Sequence, residues 1–198
     1  MECIGNEKGL DLGYTRKFLS ARESAVLSSE IENKAVWCTG RLATALVRGR
    51  RFPIKRQHRA YGDPGTTYSF SGNVYTALPW SALPGLLRVR DKITAETGQS
   101  FNYCLVNRYA DGRDCIGFHS DDEAGLDPTA PIASVSLGAA RKFSFRSKER
   151  VDERYSLRLE DGSLLLMYPP TNRLWTHSLP PASRHVGLRI NLTFRRVL

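Results

Sequence analysis

From about residue 101 onward the chain is a succession of short β-prone segments, and that pattern limits the folds open to it more than any other feature. Phe101 to Tyr109, Ile132 to Leu137, Lys142 to Arg146, Tyr155 to Leu159, Ser163 to Tyr168 and Arg189 to Arg195 are rich in β-branched or aromatic residues and are separated by Gly, Pro, Asp and Asn. Such segments must pair and stack to bury their apolar faces, so the spacing predicts a sandwich or barrel. In the last of them, period two puts Ile190, Leu192 and Phe194 on one face and Arg189, Asn191, Thr193 and Arg195 on the other. The expectation is a half-buried strand. A solvated outer face would accommodate its polar side, and a bound anion would suit the two arginines.

Two helices are expected ahead of these strands. Ser20-Ala21-Arg22-Glu23 has the form of a capping box in front of Ala25, Val26, Leu27 and Ile31, which predicts a helix to about Asn33. Leu83, Leu86, Leu87 and Ile93 form one stripe of a helix from about Leu83 to Thr97, which Gly98 can terminate. There is no repeat, low-complexity tract or linker, so residues 1–198 read as one mainly β (α+β) domain.

With 198 residues, 41% hydrophobic and 25% charged, the chain can form a full core. Its 29 Lys and Arg against 20 Asp and Glu give +9, which favours a polyanionic partner such as nucleic acid. No stretch approaches the roughly 18 apolar residues of a membrane span. Met1 to Gly13 lacks the apolar run of a secretory leader, so an intracellular monomer is expected, nuclear in a eukaryote and cytoplasmic otherwise. Cys3, Cys38, Cys104 and Cys115 show no CxxC spacing and read as reduced thiols. Arg48 to Arg59 concentrates six basic residues beside Phe52 and His58, a candidate loop for phosphate contacts.

His119-Ser120-Asp121 places an imidazole and a carboxylate two residues apart, on one side of extended backbone. His177, between Trp175 and Leu179, is a candidate third ligand. Two histidines and one carboxylate with open positions suit non-haem Fe(II) and oxygen chemistry. Asn107 and Tyr109 share a strand face and offer an amide and a phenol to a carboxylate.

The order Asn107-x-Tyr109, His119-x-Asp121, His177 and Arg189-x5-Arg195 closely resembles the AlkB family of Fe(II)- and 2-oxoglutarate-dependent dealkylases, above all those that repair alkylated duplex DNA. The resemblance runs from about Tyr61 to Leu198 and includes Tyr68 to Gly72 and Pro131 to Ser136. It implies a double-stranded β-helix, or jelly roll, with N-terminal flanking helices. About residues 1–100 would form an extension and nucleotide-recognition region and about 101–198 the catalytic core. It further implies iron on His119, Asp121 and His177, and 2-oxoglutarate bound through Arg189 with Asn107, Tyr109, Asn191, Thr193 and Arg195. Tyr68, Phe70, Asp122 and Glu123 would receive the flipped base, Asp122 favouring cationic 1-methyladenine and 3-methylcytosine. With O2 as co-substrate, the reaction would yield succinate, carbon dioxide, formaldehyde and the restored base. The duplex-acting members carry an apolar wedge here replaced by Val47-Arg48-Gly49-Arg50-Arg51-Phe52, in which Arg48 or Phe52 could serve. An RNA demethylase and a protein or small-molecule hydroxylase are the alternatives.

Overall fold

In the computed structural model, which describes residues 1–150 and 152–198, two sheets pack face to face. The larger has eight strands in the order Glu2–Glu7, Leu10–Thr15, Ser163–Met167, Ile132–Gly138, Arg189–Arg195, Tyr103–Tyr109, Gln57–Gly62 and Leu78–Pro79. The smaller runs Ile116–His119, Trp175–Leu179, Arg141–Ser147 and Arg154–Leu159. Its first and second strands bring His119 opposite His177, although they lie far apart in the chain. This crossing order is that of a jelly roll. Its interior is filled from both sheets, with Leu105, Tyr109 and Leu165 of the larger against Phe143, Phe145 and Leu159 of the smaller.

The Arg189–Arg195 strand lies in the middle of the large sheet, and all seven of its residues are buried. Ile190, Leu192 and Phe194 pack outward into a second apolar cluster with Leu27, Ile31, Leu86 and Ile93 of the two helices. Arg189, Asn191, Thr193 and Arg195 project toward the small sheet. The strand is therefore covered on both sides, not half-buried, because the helices take one face and the second sheet the other. Burial without partners is costly for polar groups, so a buried arginine face implies designed partners.

Both helices end where the sequence says. Ala21–Lys34 starts at Ser20, whose side chain accepts from the Glu23 amide while the Glu23 carboxylate accepts from the Ser20 amide. Pro84–Thr97 stops at Gly98, which adopts a left-handed conformation with φ 70°.

The first hundred residues do more than extend the core. Four of the eight strands of the large sheet come from them, so a division near residue 100 does not follow the sheet. Arg48 to Arg59 is likewise no loop. Thr44–Val47 and Arg50–Pro53 form a hairpin with Arg48 and Gly49 at its tip, both at positive φ, and Gln57–Gly62 is a strand beside Tyr103–Tyr109. A second hairpin pairs Thr67–Phe70 with Asn73–Thr76. Arg51 ties the two hairpins together, donating to Thr44 Oγ1, Asn73 Oδ1 and the Gly72 carbonyl. No helix among the described residues is long and apolar enough to cross a membrane.

Candidate active site

A cavity of about 520 Å³ opens between the sheets, with the two hairpins at its rim. On its floor, ligand atoms of His119, Asp121 and His177 all lie within 4.8 Å of one another. His119 Nε2 stands 3.7 Å from Asp121 Oδ1. His119 Nδ1 lies 2.9 Å from the Gly117 carbonyl, which fixes the proton on that nitrogen and leaves Nε2 as a lone-pair donor. Asp121 is almost fully buried and accepts from Arg195 Nη2 at 2.6 Å. Burial alone would raise its pKa, but the charge of Arg195 and its hydrogen bond hold the carboxyl well below the usual range. His177 is buried to 4% exposure, and its Nδ1 has no hydrogen-bond partner among the described residues. Burial, aided by His119, lowers its pKa to about 3, so the ring is neutral.

The polar face of Arg189–Arg195 lines the adjoining wall. Arg189 Nη2 donates to Ser136 Oγ at 2.9 Å, and its guanidinium lies 5.3 Å from the Tyr109 ring centre. Its Nε has no partner among the described residues, and burial lowers its pKa to about 10. Asn191 Nδ2 donates to Ser134 Oγ at 2.8 Å, and Thr193 Oγ1 donates to Asn191 Oδ1 at 2.8 Å. Register pairs Asn107 with Asn191 and Tyr109 with Arg189 across neighbouring strands, so all of these side chains share one surface. Arg56 Nε donates to Asn107 Oδ1 at 2.7 Å. That bond leaves the Asn107 amide nitrogen as the end available to an anion.

On the opposite side stand the aromatics. Phe70 stacks on Tyr75 with centroids 4.2 Å apart, and Tyr68 meets Tyr103 edge to face. The Tyr68 hydroxyl donates to the Glu123 carboxylate, whose pKa burial raises. Asp122 is not part of this group. It is 53% exposed in its side chain, pairs with Lys148 Nζ at 2.8 Å, and borders a neighbouring cavity with Leu126, Pro131 and Arg173. The alternation that joined His119 to Asp121 also carries Glu123 toward the cavity and Asp122 toward solvent. Of the residues the sequence singled out, the others line the cavity except Arg189, which lies against Tyr109 and Ser136 next to it. The structure adds Arg56 and Ser134 to the lining and Ser136 as the acceptor of Arg189. The two serines alternate with Ala133 and Val135, a pattern that could have placed them opposite Asn191 and Arg189.

A profile described as the 2OG-Fe(II) oxygenase superfamily matches residues 11–195. A mouse DNA oxidative demethylase ALKBH2 is 48% identical over 96% of this chain and 82% of that protein. The human ALKBH2 is 45% identical over 96% of the chain and 75% of that protein. The chain belongs to the AlkB branch of the 2OG-Fe(II) oxygenase superfamily. A solved structure of OsALKBH1 superposes with a TM-score of 0.62 at 22% identity, over 93% of this chain and 97% of that one, a likeness of fold. A rat alkB homolog 3 is 36% identical over 74% of this chain and 51% of that protein.

This oxygenase is an enzyme that uses Fe(II), 2-oxoglutarate and O2. Its residues fit both groups. Two imidazole nitrogens and an ionised carboxylate oxygen make a facial donor set for Fe(II). The orphaned His177 Nδ1 marks an imidazole whose surroundings within the protein do not satisfy it. Arg189 is a buried cation whose neighbours include a second cation, Arg141, and its Nε lacks an acceptor, the condition a dicarboxylate would relieve.

Proposed function

We propose that this chain is a DNA oxidative demethylase that restores N-alkylated bases such as 1-methyladenine and 3-methylcytosine. The observation that carries the reading is the cavity's two-sided wall, His119, Asp121, His177 and the buried Arg195 on one side and Tyr68, Phe70 and Glu123 on the other. The ALKBH2 relatives, which cover most of the chain, support it.

In this reading His119, Asp121 and His177 hold the iron, which with 2-oxoglutarate and O2 supplies the oxidising power that hydroxylates an N-methyl group. Arg189 anchors the far carboxylate of 2-oxoglutarate through paired charge-assisted hydrogen bonds, and Asn107, Tyr109, Asn191 and Thr193 complete its surroundings. Arg195 keeps the Asp121 carboxylate ionised and fixed. Phe70, already stacked on Tyr75, offers its edge and remaining surface to a base drawn out of the helix, and Tyr68 orients Glu123. A carboxylate there favours a methylated base, which is a cation, over a neutral one. Extruding the nucleotide is needed because the methyl sits on a base-pairing edge, and damaged pairs cost least to open. The exposed hairpin tip at Arg48, with Val47 50% and Phe52 51% exposed behind it, is the element best situated to occupy the gap.

The test is to supply Fe(II), 2-oxoglutarate and matched oligonucleotides carrying either lesion, as single-stranded DNA, duplex DNA and RNA. Base restoration with formaldehyde release on DNA is the expected result. Succinate formation with no restored base in any of them would discard the substrate and leave the iron chemistry standing.

A further inference from the structure

The small sheet carries His119 and His177 on its inner face, while its outer face has no part in the reaction. There, pairing of Arg141–Ser147 with Arg154–Leu159 sets Lys142 directly opposite Arg158 and Arg146 directly opposite Arg154, with Ser144 opposite Ser156 between them. Like charges facing each other across an antiparallel pair oppose its formation, and a solvated sheet face normally alternates their sign. Here the alternation is missing. Among the described residues, the one carboxylate within 4.0 Å of any of the four cations is Glu160, whose Oε1 is 3.9 Å from Arg158 Nε. Lys142, Arg154 and Arg158 are exposed. Arg146 lies 4.3 Å from the ring centre of Phe118, the residue that precedes His119, so one end of this ladder borders the strand that brings an iron ligand to the cavity. The serine hydroxyls at its centre are hydrogen-bonded to each other at 3.1 Å and add neutral donors.

We propose that this outer face is a docking surface for the sugar-phosphate backbone of the nucleic-acid substrate, separate from the contacts made by the rim hairpins. The proposal rests on the nucleic-acid reading of the active site. Charge complementarity selects the occupant, because a chain of phosphates removes the repulsion between both cross-strand pairs at once. The dimensions agree. The four residue steps from Lys142 to Arg146 span about 13 Å, and a duplex offers one phosphate per strand about every 3.4 Å along its axis, so the ladder runs beside about four.

A Lys142→Ser, Arg154→Ser, Arg158→Ser variant, with Arg146 left on Phe118, tests this. Its melting temperature is expected to match or exceed that of the parent, since repulsion is removed. With a long undamaged duplex, the slope of log affinity against log salt should flatten by about 0.9 for each lost phosphate contact, about 2.7 in all. Turnover of a methylated trinucleotide, too short to reach the ladder, should stay within about twofold. Lys142→Glu is the second variant. It sets a carboxylate opposite Arg158 and should stabilise the fold while flattening the slope by about 1.8. Salt slopes equal to the parent's in either folded variant overturn the docking surface. A parent that repairs no methylated oligonucleotide, yet binds duplex with a ladder-dependent slope, would retire the repair reading and leave this surface in place.

Discussion

The inner wall of the jelly roll and the hairpin rim in front of it line one cavity, yet they are held in different ways. The wall is set by cross-strand register in an eight-stranded sheet with helices behind it, and its polar side chains are bonded to one another: Arg189 to Ser136, Asn191 to Ser134, Thr193 to Asn191, Arg195 to Asp121. The rim consists of two short hairpins outside both sheets, joined by Arg51 and by the Leu46 amide donating to the Ser71 carbonyl, with Leu46, Val47 and Phe52 exposed. A preorganised, buried wall suits chemistry that must be identical at every turnover. A less buried rim suits a partner that has to be gripped, bent and released. Substitutions in the wall should therefore affect iron, 2-oxoglutarate and stability together, and those in the rim should affect the base alone.

The largest break is expected from Asp121→Ala, which removes an iron ligand and strands the buried Arg195 guanidinium. Iron content and turnover should fall to background, and denaturant titration should show a loss of about 3–5 kcal/mol, as for a buried pair deprived of one member. Retained stability would mean that Arg195 finds another partner. Arg189→Lys comes next. Losing the planar fork should remove about 1.5–3 kcal/mol of co-substrate binding, a rise in the apparent KM for 2-oxoglutarate of roughly tenfold to a hundredfold. An unchanged KM would contradict the assignment of Arg189.

On the rim, Phe70→Ala should cost about 1–3 kcal/mol of base stacking, read as lower kcat/KM for methylated oligonucleotide while the KM for 2-oxoglutarate holds. A parallel change in both would erase the distinction between rim and wall. A smaller effect should separate two adjacent acids. Glu123→Gln is expected to reduce the preference for a cationic lesion about tenfold, whereas Asp122→Ala, which frees only Lys148 at the surface, should change it less than about twofold. The reverse ranking would place the carboxylates the other way round in solution.

The gentlest probe lies where wall and rim meet. His58 is 1% exposed, pairs in register with Asn107, and its ring meets Tyr75 edge to face. Burial, with help from Arg56, lowers its pKa to about 4. The unfolded chain binds the proton first as pH falls, so this contribution to stability is complete above a pH of about 6.5 and declines toward 4, by roughly 3 kcal/mol at most. Melting curves at neutral and mildly acid pH should show that decline in the parent and a flatter response in His58→Gln.

Much of this was legible in the residues. The capping box at Ser20, the stop at Gly98 and the six β segments appear nearly where local signals put them, because caps, αL glycines and period-two alternation act over a few residues. The Leu10–Thr15 strand carried the same alternation, with Leu10, Leu12 and Tyr14 buried, but it gains its place by pairing with Ser163–Met167, which no local signal announces. The basic stretch reads as a loop for a related reason. Arg51 and Arg56 are engaged inside the molecule, by Asn73 and Asn107, and charge counts do not reveal such partners.

The sequence by itself determined the chemistry: the donor types of the iron site, the spacing of His119 and Asp121, and an arginine face opposite an apolar one at Arg189–Arg195. Those follow from side-chain identity and strand geometry alone. Which of two neighbouring carboxylates faces the cavity, whether the arginine face meets water or a second sheet, and how close His177 comes to His119 were decided only by the tertiary structure. Each depends on pairings between segments far apart in the chain, and register across such pairs is set by the packing of both sheets at once.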